Sequence, residues 1–266
     1  MGKIIAIANQ KGGVGKTTTA INLGAGLVNH GQKVLLVDLD EQANASIGLG
    51  LIRDDLNQTT FEVLTKKSPI ETAIYSLFDN GLDIIPASNK LATIEEELHG
   101  VENKELLLYE KLQYIKDKYD YILLDCPPSL GLVVENALFA SDSVIIPVEC
   151  GFFAYDALTQ MVNKINQLQQ KKKKKGMHLI IEGVLITQLD NRSVYSYDIV
   201  DQVKQMFPTK TFSTMIYRSS HIQAAAMQGK SVIKTAYNSR GSKEYRALAK
   251  EIIENNEVKA DAIQWY

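Results

Sequence analysis

The chain has 266 residues, 45% of them hydrophobic, and a formal net charge of −2. That composition supports a sizeable buried core, and the near-balanced charge argues against a bulk nucleic-acid binder. Two cysteines, Cys126 and Cys150, exclude a disulfide framework and a four-cysteine metal site. No apolar run approaches the roughly 18 residues of a membrane span, and the N-terminus lacks a signal pattern, so a reduced cytoplasmic setting is expected. Charge is unevenly spread. Residues 1–150 hold 12 Lys+Arg against 21 Asp+Glu, a net of −9, and residues 151–266 hold 17 against 10, a net of +7. The basic C-terminal part can meet a polyanion while the N-terminal part stays acidic.

In chain order, "KIIAIAN" (3–9) predicts a buried strand, and 16–30 a helix closed by Gly31. "KVLLVDLD" (33–40) and "LDIIPA" (82–87) predict further strands. A helical segment near 103–118 leads into "YDYILLDCPP" (119–128), a strand stopped by two prolines, and "DSVIIPVE" (142–149) follows. A helix from Tyr155 to Gln170 precedes "QQKKKKKG" (169–176), which is expected as an exposed loop. "HLIIEGVLIT" (178–187), a helix near 195–206, a short strand "FSTMI" (212–216) and a helical tail over 239–255 complete the chain. Continuous Val/Ile/Leu strands alternating with helices predict an α/β fold: a doubly wound, mostly parallel sheet with helices on both faces, in a single domain over 1–266.

The chemistry begins at "NQKGGVGKTTT" (9–19). A strand, a glycine-rich loop and a helix are the context of a phosphate loop. Gly12, Gly13 and Gly15 let backbone N–H groups of Gly12, Gly13, Val14, Gly15 and Lys16 approach phosphate oxygens, and the helix presents its positive end to them. Lys16 would reach the β- and γ-phosphates, Thr17 would give its hydroxyl to Mg²⁺, and Thr18 would bond a further phosphate oxygen. Gln10 stands where the usual pattern has glycine, and the residue there only starts the bend. Three acids end strands beside such a crevice. Asp125 is expected to orient a magnesium-bound water, Asp40 to address the attacking water, and Asp38 to join the magnesium shell or to cap a helix near 44–49. Cys126 and Cys150 are expected to be structural thiols.

"KGGVGKTT", "LLVDLDEQANAS", "YDYILLDCPPSLG", "IIPVECGFFAYDAL" and "SRGSKEYRALAKEI" together resemble the ParA/Soj partition ATPases, part of the deviant-Walker group that includes MinD and nitrogenase iron protein. The resemblance runs in order over nearly the whole chain. It implies that Lys11 is the signature lysine reaching the phosphates of a second subunit in an ATP-bound sandwich homodimer. It also implies catalytic roles for Lys11, Lys16 and Asp40, ATP and Mg²⁺ as cofactors, sequence-blind DNA binding, and hydrolysis stimulated by a ParB-like partner. With the loop at residue 9, no N-terminal helix-turn-helix domain is expected.

Several residues depart from the family pattern. Glu41 and Ala43 replace proline and glycine after Asp40, and Tyr217 replaces a proline near the adenine, where its ring could stack on the base. DNA-contact candidates are Arg192 and Arg218, carried over from the family, with Lys243 and Arg246 among the cations of the basic part; phosphate contacts of this kind are sequence-blind and salt-sensitive. His221 stands where members often carry another arginine. The competing expectation is a MinD-like positioning ATPase at the membrane. It requires a basic, apolar C-terminal helix, whereas "EIIENNEVKADAIQWY" is acidic and sparsely apolar. No stable membrane association is expected, and the location expected is cytoplasmic and nucleoid-associated.

Overall fold

The computed structural model describes residues 2–77, 81–151, 154–191 and 193–263, with the backbone alone at 154, 194, 195 and 258–263. Seven strands form one sheet: β1 (Lys3–Ile7), β2 (Val34–Asp38), β3 (Tyr75–Leu77), β4 (Leu82–Ile85), β5 (Tyr121–Asp125), β6 (Ser143–Glu149) and β7 (Ile180–Thr187). Their order is β3-β4-β2-β5-β1-β6-β7, and every pairing is parallel except β3 with β4. The helices are α1 (Lys16–Asn29), α2 (Asn44–Gly48), α3 (Thr60–Leu64), α4 (Ile94–Glu97), α5 (Leu107–Gln113), α6 (Leu132–Ala140), α7 (Ala154–Lys174), α8 (Val194–Met206), α9 (Ser220–Met227), α10 (Val232–Thr235) and α11 (Arg240–Ile263).

Both faces of the sheet are covered, which is why its strands read as unbroken apolar runs. Side chains alternate across a strand, so Ile4 and Ala6 pack with helices α3 to α8, while Ile5 and Ile7 pack with α1, α10 and α11. The parallel register brings the C-terminal ends of β1, β2 and β5 to one edge, with Ile7 and Asp38 both opposite Asp125.

Two expectations are corrected. The lysine run is not a loop. Lys171, Lys172, Lys173 and Lys174 form the last turn of α7, and the Met177 N–H closes that turn on the Lys172 carbonyl at 2.9 Å. Lys172 continues the buried stripe Leu158, Met161, Ile165, Leu168 and is itself only 2% exposed. Its ammonium group donates to the carbonyls of Leu138 and Ser141 at the end of α6, where a helix favours a cation. Segment 212–216 is likewise no strand. Its Phe212 and Ile216 N–H groups donate to the β7 carbonyls of Val184 and Ile186, but between them the Ser213 and Thr214 N–H groups donate to the Glu251 carboxylate at 2.7 and 3.0 Å, so no continuous ladder forms.

Candidate functional site

The loop between β1 and α1 opens onto a cavity of about 1240 Å³ lined by Gly12, Gly13, Gly15, Lys16, Thr17 and Thr18. Gly13 and Gly15 adopt φ of 78° and 84°, the left-handed backbone that glycine enters without Cβ strain. The bend before them is fixed by Asn9 rather than Gln10. The Asn9 side chain accepts from Lys11 N at 3.1 Å and donates to the Pro147 carbonyl at 2.7 Å. From the far side, residues at the end of β7 brace the loop. Thr187 Oγ1 donates to the Val14 carbonyl at 2.8 Å, and the Gln188 side chain donates to the Gly13 carbonyl. Sequence reasoning missed this brace; the only signal is that Thr187 and Gln188 fall at a strand end. Val14 itself faces the core.

Lys16 is buried and donates to the Lys11 carbonyl at 3.2 Å. Burial pushes its ammonium pKa down, an effect opposed chiefly by Asp125. Asp125 is fully buried, and neither carboxylate oxygen has a hydrogen-bond partner in the protein. Burial raises its pKa well above the ordinary range, and Asp38 across the strand pair raises it further, while the nearby Thr17 hydroxyl and Lys16 oppose the rise. An orphaned buried carboxylate is costly in a folded protein unless something else binds there. Hard divalent cations take oxygen ligands of this kind, commonly one or two carboxylates completed by phosphate and water. Asp125 with Thr17 therefore fits a magnesium site.

Asp38 faces Asp125 across the strand pair, and both its carboxylate oxygens already accept hydrogen bonds within the protein. Its Oδ2 accepts from the backbone and hydroxyl of Ser46 at 2.9 and 2.7 Å, and its Oδ1 accepts from Asp40 N at 3.2 Å. It ties α2 to the end of β2. Burial first, with Asp40 adding a smaller push, raises its pKa to about 6, against the lowering effect of the Ser46 and Asp40 bonds. Asp40 lines the cavity, and its Oδ1 accepts from Gln42 N at 3.0 Å, forming a tight turn. The turn ends at Ala43, whose φ of 52° is left-handed. A family glycine would carry that conformation without the roughly 1–2 kcal/mol that Cβ adds.

Lys11 stands outside the cavity lining. Its Nζ pairs with Glu149 Oε2 at 3.3 Å, and Arg218 pairs with Glu149 Oε1 at 3.3 Å. Arg218 also donates through Nε to the Gln188 carbonyl at 3.2 Å. These half-exposed ion pairs contribute little stability, so Lys11 can leave Glu149 at small cost. Tyr217 lines the cavity. Among the DNA candidates, Lys243 is exposed, whereas Arg246 stacks on Tyr237 at 3.9 Å and donates to its carbonyl. Arg192 lies outside the described residues. Cys126 is buried and Cys150 half-buried, and burial pushes both thiols up, Cys150 to about 11. No helix among the described residues is long and apolar enough to cross a membrane.

A phosphate loop at the crest of a doubly wound sheet, with strand-end acids beside it, defines a P-loop nucleoside-triphosphatase fold. A family model described as an AAA domain matches residues 2–178. Sporulation initiation inhibitor protein Soj of Bacillus subtilis is 45% identical over 255 residues, spanning 96% of this chain and 100% of that protein. Chromosome partitioning protein ParA of Myxococcus xanthus is 38% identical over 262 residues, spanning 98% and 91%. Cobyrinic acid a,c-diamide synthase from Mycobacterium smegmatis, solved with bound ADP and magnesium, shares the fold with a TM-score of 0.84 at 31% identity, covering 97% of this chain and 96% of that one. The chain belongs to the ParA/Soj family of partition ATPases.

Proposed function

We propose that this protein binds ATP with Mg²⁺ in the cavity above β1, closes into a sandwich homodimer, and in that state binds DNA without sequence preference. A ParB-like partner stimulates hydrolysis and release, and the cycle segregates a plasmid or chromosome region. The observation that carries the nucleotide reading is the buried, unpartnered Asp125 carboxylate beside Lys16 and Thr17, at the mouth of a glycine loop. The loop N–H groups from Gly12 to Lys16 hold the phosphate chain, Lys16 neutralises its terminal charge, and Thr18 bonds a further oxygen. Thr17, and Asp125 through a bound water, would hold magnesium, which would supply charge stabilisation at the γ-phosphate. Asp40 orients the attacking water, and its turn onto Gln42 N sets the direction of its free oxygen. Lys11 leaves Glu149 to reach the partner's phosphates. Arg218 and Lys243, with Arg192, supply cations to DNA.

The Asp40→Ala variant tests this cycle. It should bind ATP, remain dimeric by sedimentation velocity and stay on DNA of arbitrary sequence, while turnover falls by at least about a hundredfold. Normal turnover would move the water-positioning role elsewhere. ATP-dependent flotation with liposomes, without DNA binding, would replace this reading by a membrane-positioning ATPase.

A further inference from the structure

Tyr217 touches two cavities. It lines the large one with Arg218 and Ser219, and it also lines a smaller one, of about 280 Å³, with Asn191 and Arg240. Arg240 lines the smaller cavity and is absent from the lining of the large one, and it stacks on the Tyr217 ring. Its guanidinium carbon lies 3.3 Å from the ring centroid. Arg240 is in turn held by Glu244, one turn further along α11, whose Oε1 accepts from Arg240 Nε at 2.7 Å. The other carboxylate oxygen of Glu244 accepts from the Tyr217 backbone N–H at 3.0 Å. One carboxylate thus fixes both the backbone of Tyr217 and the cation stacked on its ring.

We infer that Arg240 and Glu244 are positioning residues for the base of the bound nucleotide. This rests on the reading that the large cavity takes ATP. A flat ring backed by a guanidinium offers its opposite face to a purine at little ordering cost, because the ring is already immobilised before the ligand arrives. The cation polarises the ring and adds to its stacking, and the short Arg240–Glu244 contact keeps the guanidinium parallel to it. The arrangement replaces a rigid proline by a ring that needs external support, and the first turn of α11 supplies that support.

Calorimetric titration with ATP and with tripolyphosphate separates the base from the phosphates. Arg240→Met should weaken ATP binding by about tenfold and leave tripolyphosphate unchanged. Arg240→Lys, which keeps a cation near the ring, should recover part of the loss. In a Tyr217→Ala background, Arg240→Met should change ATP binding by less than about twofold. An equal loss for both ligands, no loss for either, or an undiminished loss without Tyr217 would each overturn the inference. Should Arg240→Met melt below the assay temperature, Arg240→Gln runs the same comparison. A wild-type protein that binds ATP no more tightly than tripolyphosphate would refute the nucleotide reading itself, and the two failures are therefore distinct.

Discussion

The two ends of the large cavity are built in opposite ways. The phosphate end is local: residues 12–18 follow one another in sequence, and their shared backbone geometry makes the cradle. The end proposed for the base rests on Tyr217, which is held by Arg240 and Glu244 from a helix more than twenty residues further along the chain. A local site tolerates change in the rest of the chain but fails when one loop residue is altered. A dispersed site shares its hold among several side chains, each replaceable at smaller cost. The contrast gives the order of expected effects.

Removing the charge at the phosphate end should do most. Lys16→Ala should lower ATP affinity by about a hundredfold or more in equilibrium binding, since Lys16 is the buried ammonium group of the glycine loop. Tight binding retained in that variant would break the comparison at its strongest point. The next effect concerns Asp125. In the absence of nucleotide, Asp125→Asn should raise thermal stability by about 1–3 kcal/mol, because an unpartnered buried carboxylate is removed. Its folded-state pKa is raised, so wild-type stability should decline as pH climbs above the ordinary carboxylate range, and the asparagine variant should lose that slope. Magnesium dependence of ATP binding should weaken in the same variant. A destabilised variant with unaltered magnesium dependence would mean that the carboxylate serves the fold.

A further effect lies away from the cavity, at Lys172. Burial lowers its pKa to about 8, so the unfolded chain binds the extra proton between that value and the ordinary lysine range. Wild-type stability should therefore rise with pH across that window, by up to about 3 kcal/mol. Lys172→Met, measured by chemical denaturation at several pH values, should flatten this contribution. An unchanged pH profile would place the ammonium group in water.

Much of the fold was legible because burial on both sheet faces makes each central strand a continuous apolar run, as in "VLLVD" and "YILLD". The lysine run was misjudged because composition outweighed periodicity. Spacing from Leu158 through Leu168 already placed Lys172 on the buried side of a helix, and its charge obscured that. The "FSTMI" segment suits a strand, and its two end residues do donate to β7, but the Glu251 carboxylate takes the Ser213 and Thr214 N–H groups between them and interrupts the ladder. Asp38 had two readings open from sequence, and its bonds to Ser46, which tie it to α2, become visible only in the fold.

The sequence by itself determined the doubly wound class, the glycine loop and the acids at strand ends, because each depends on neighbours within a few residues. It also supplied the family, through motifs that recur in order along the chain. Tertiary structure alone decided what each charge faces. Glu149 holds Lys11 and Arg218 together, Asp125 is left without a partner, and Arg240 backs Tyr217. Those outcomes depend on the distance and solvent exposure of groups far apart in sequence, which the sheet order brings within a few ångströms and which no local pattern encodes.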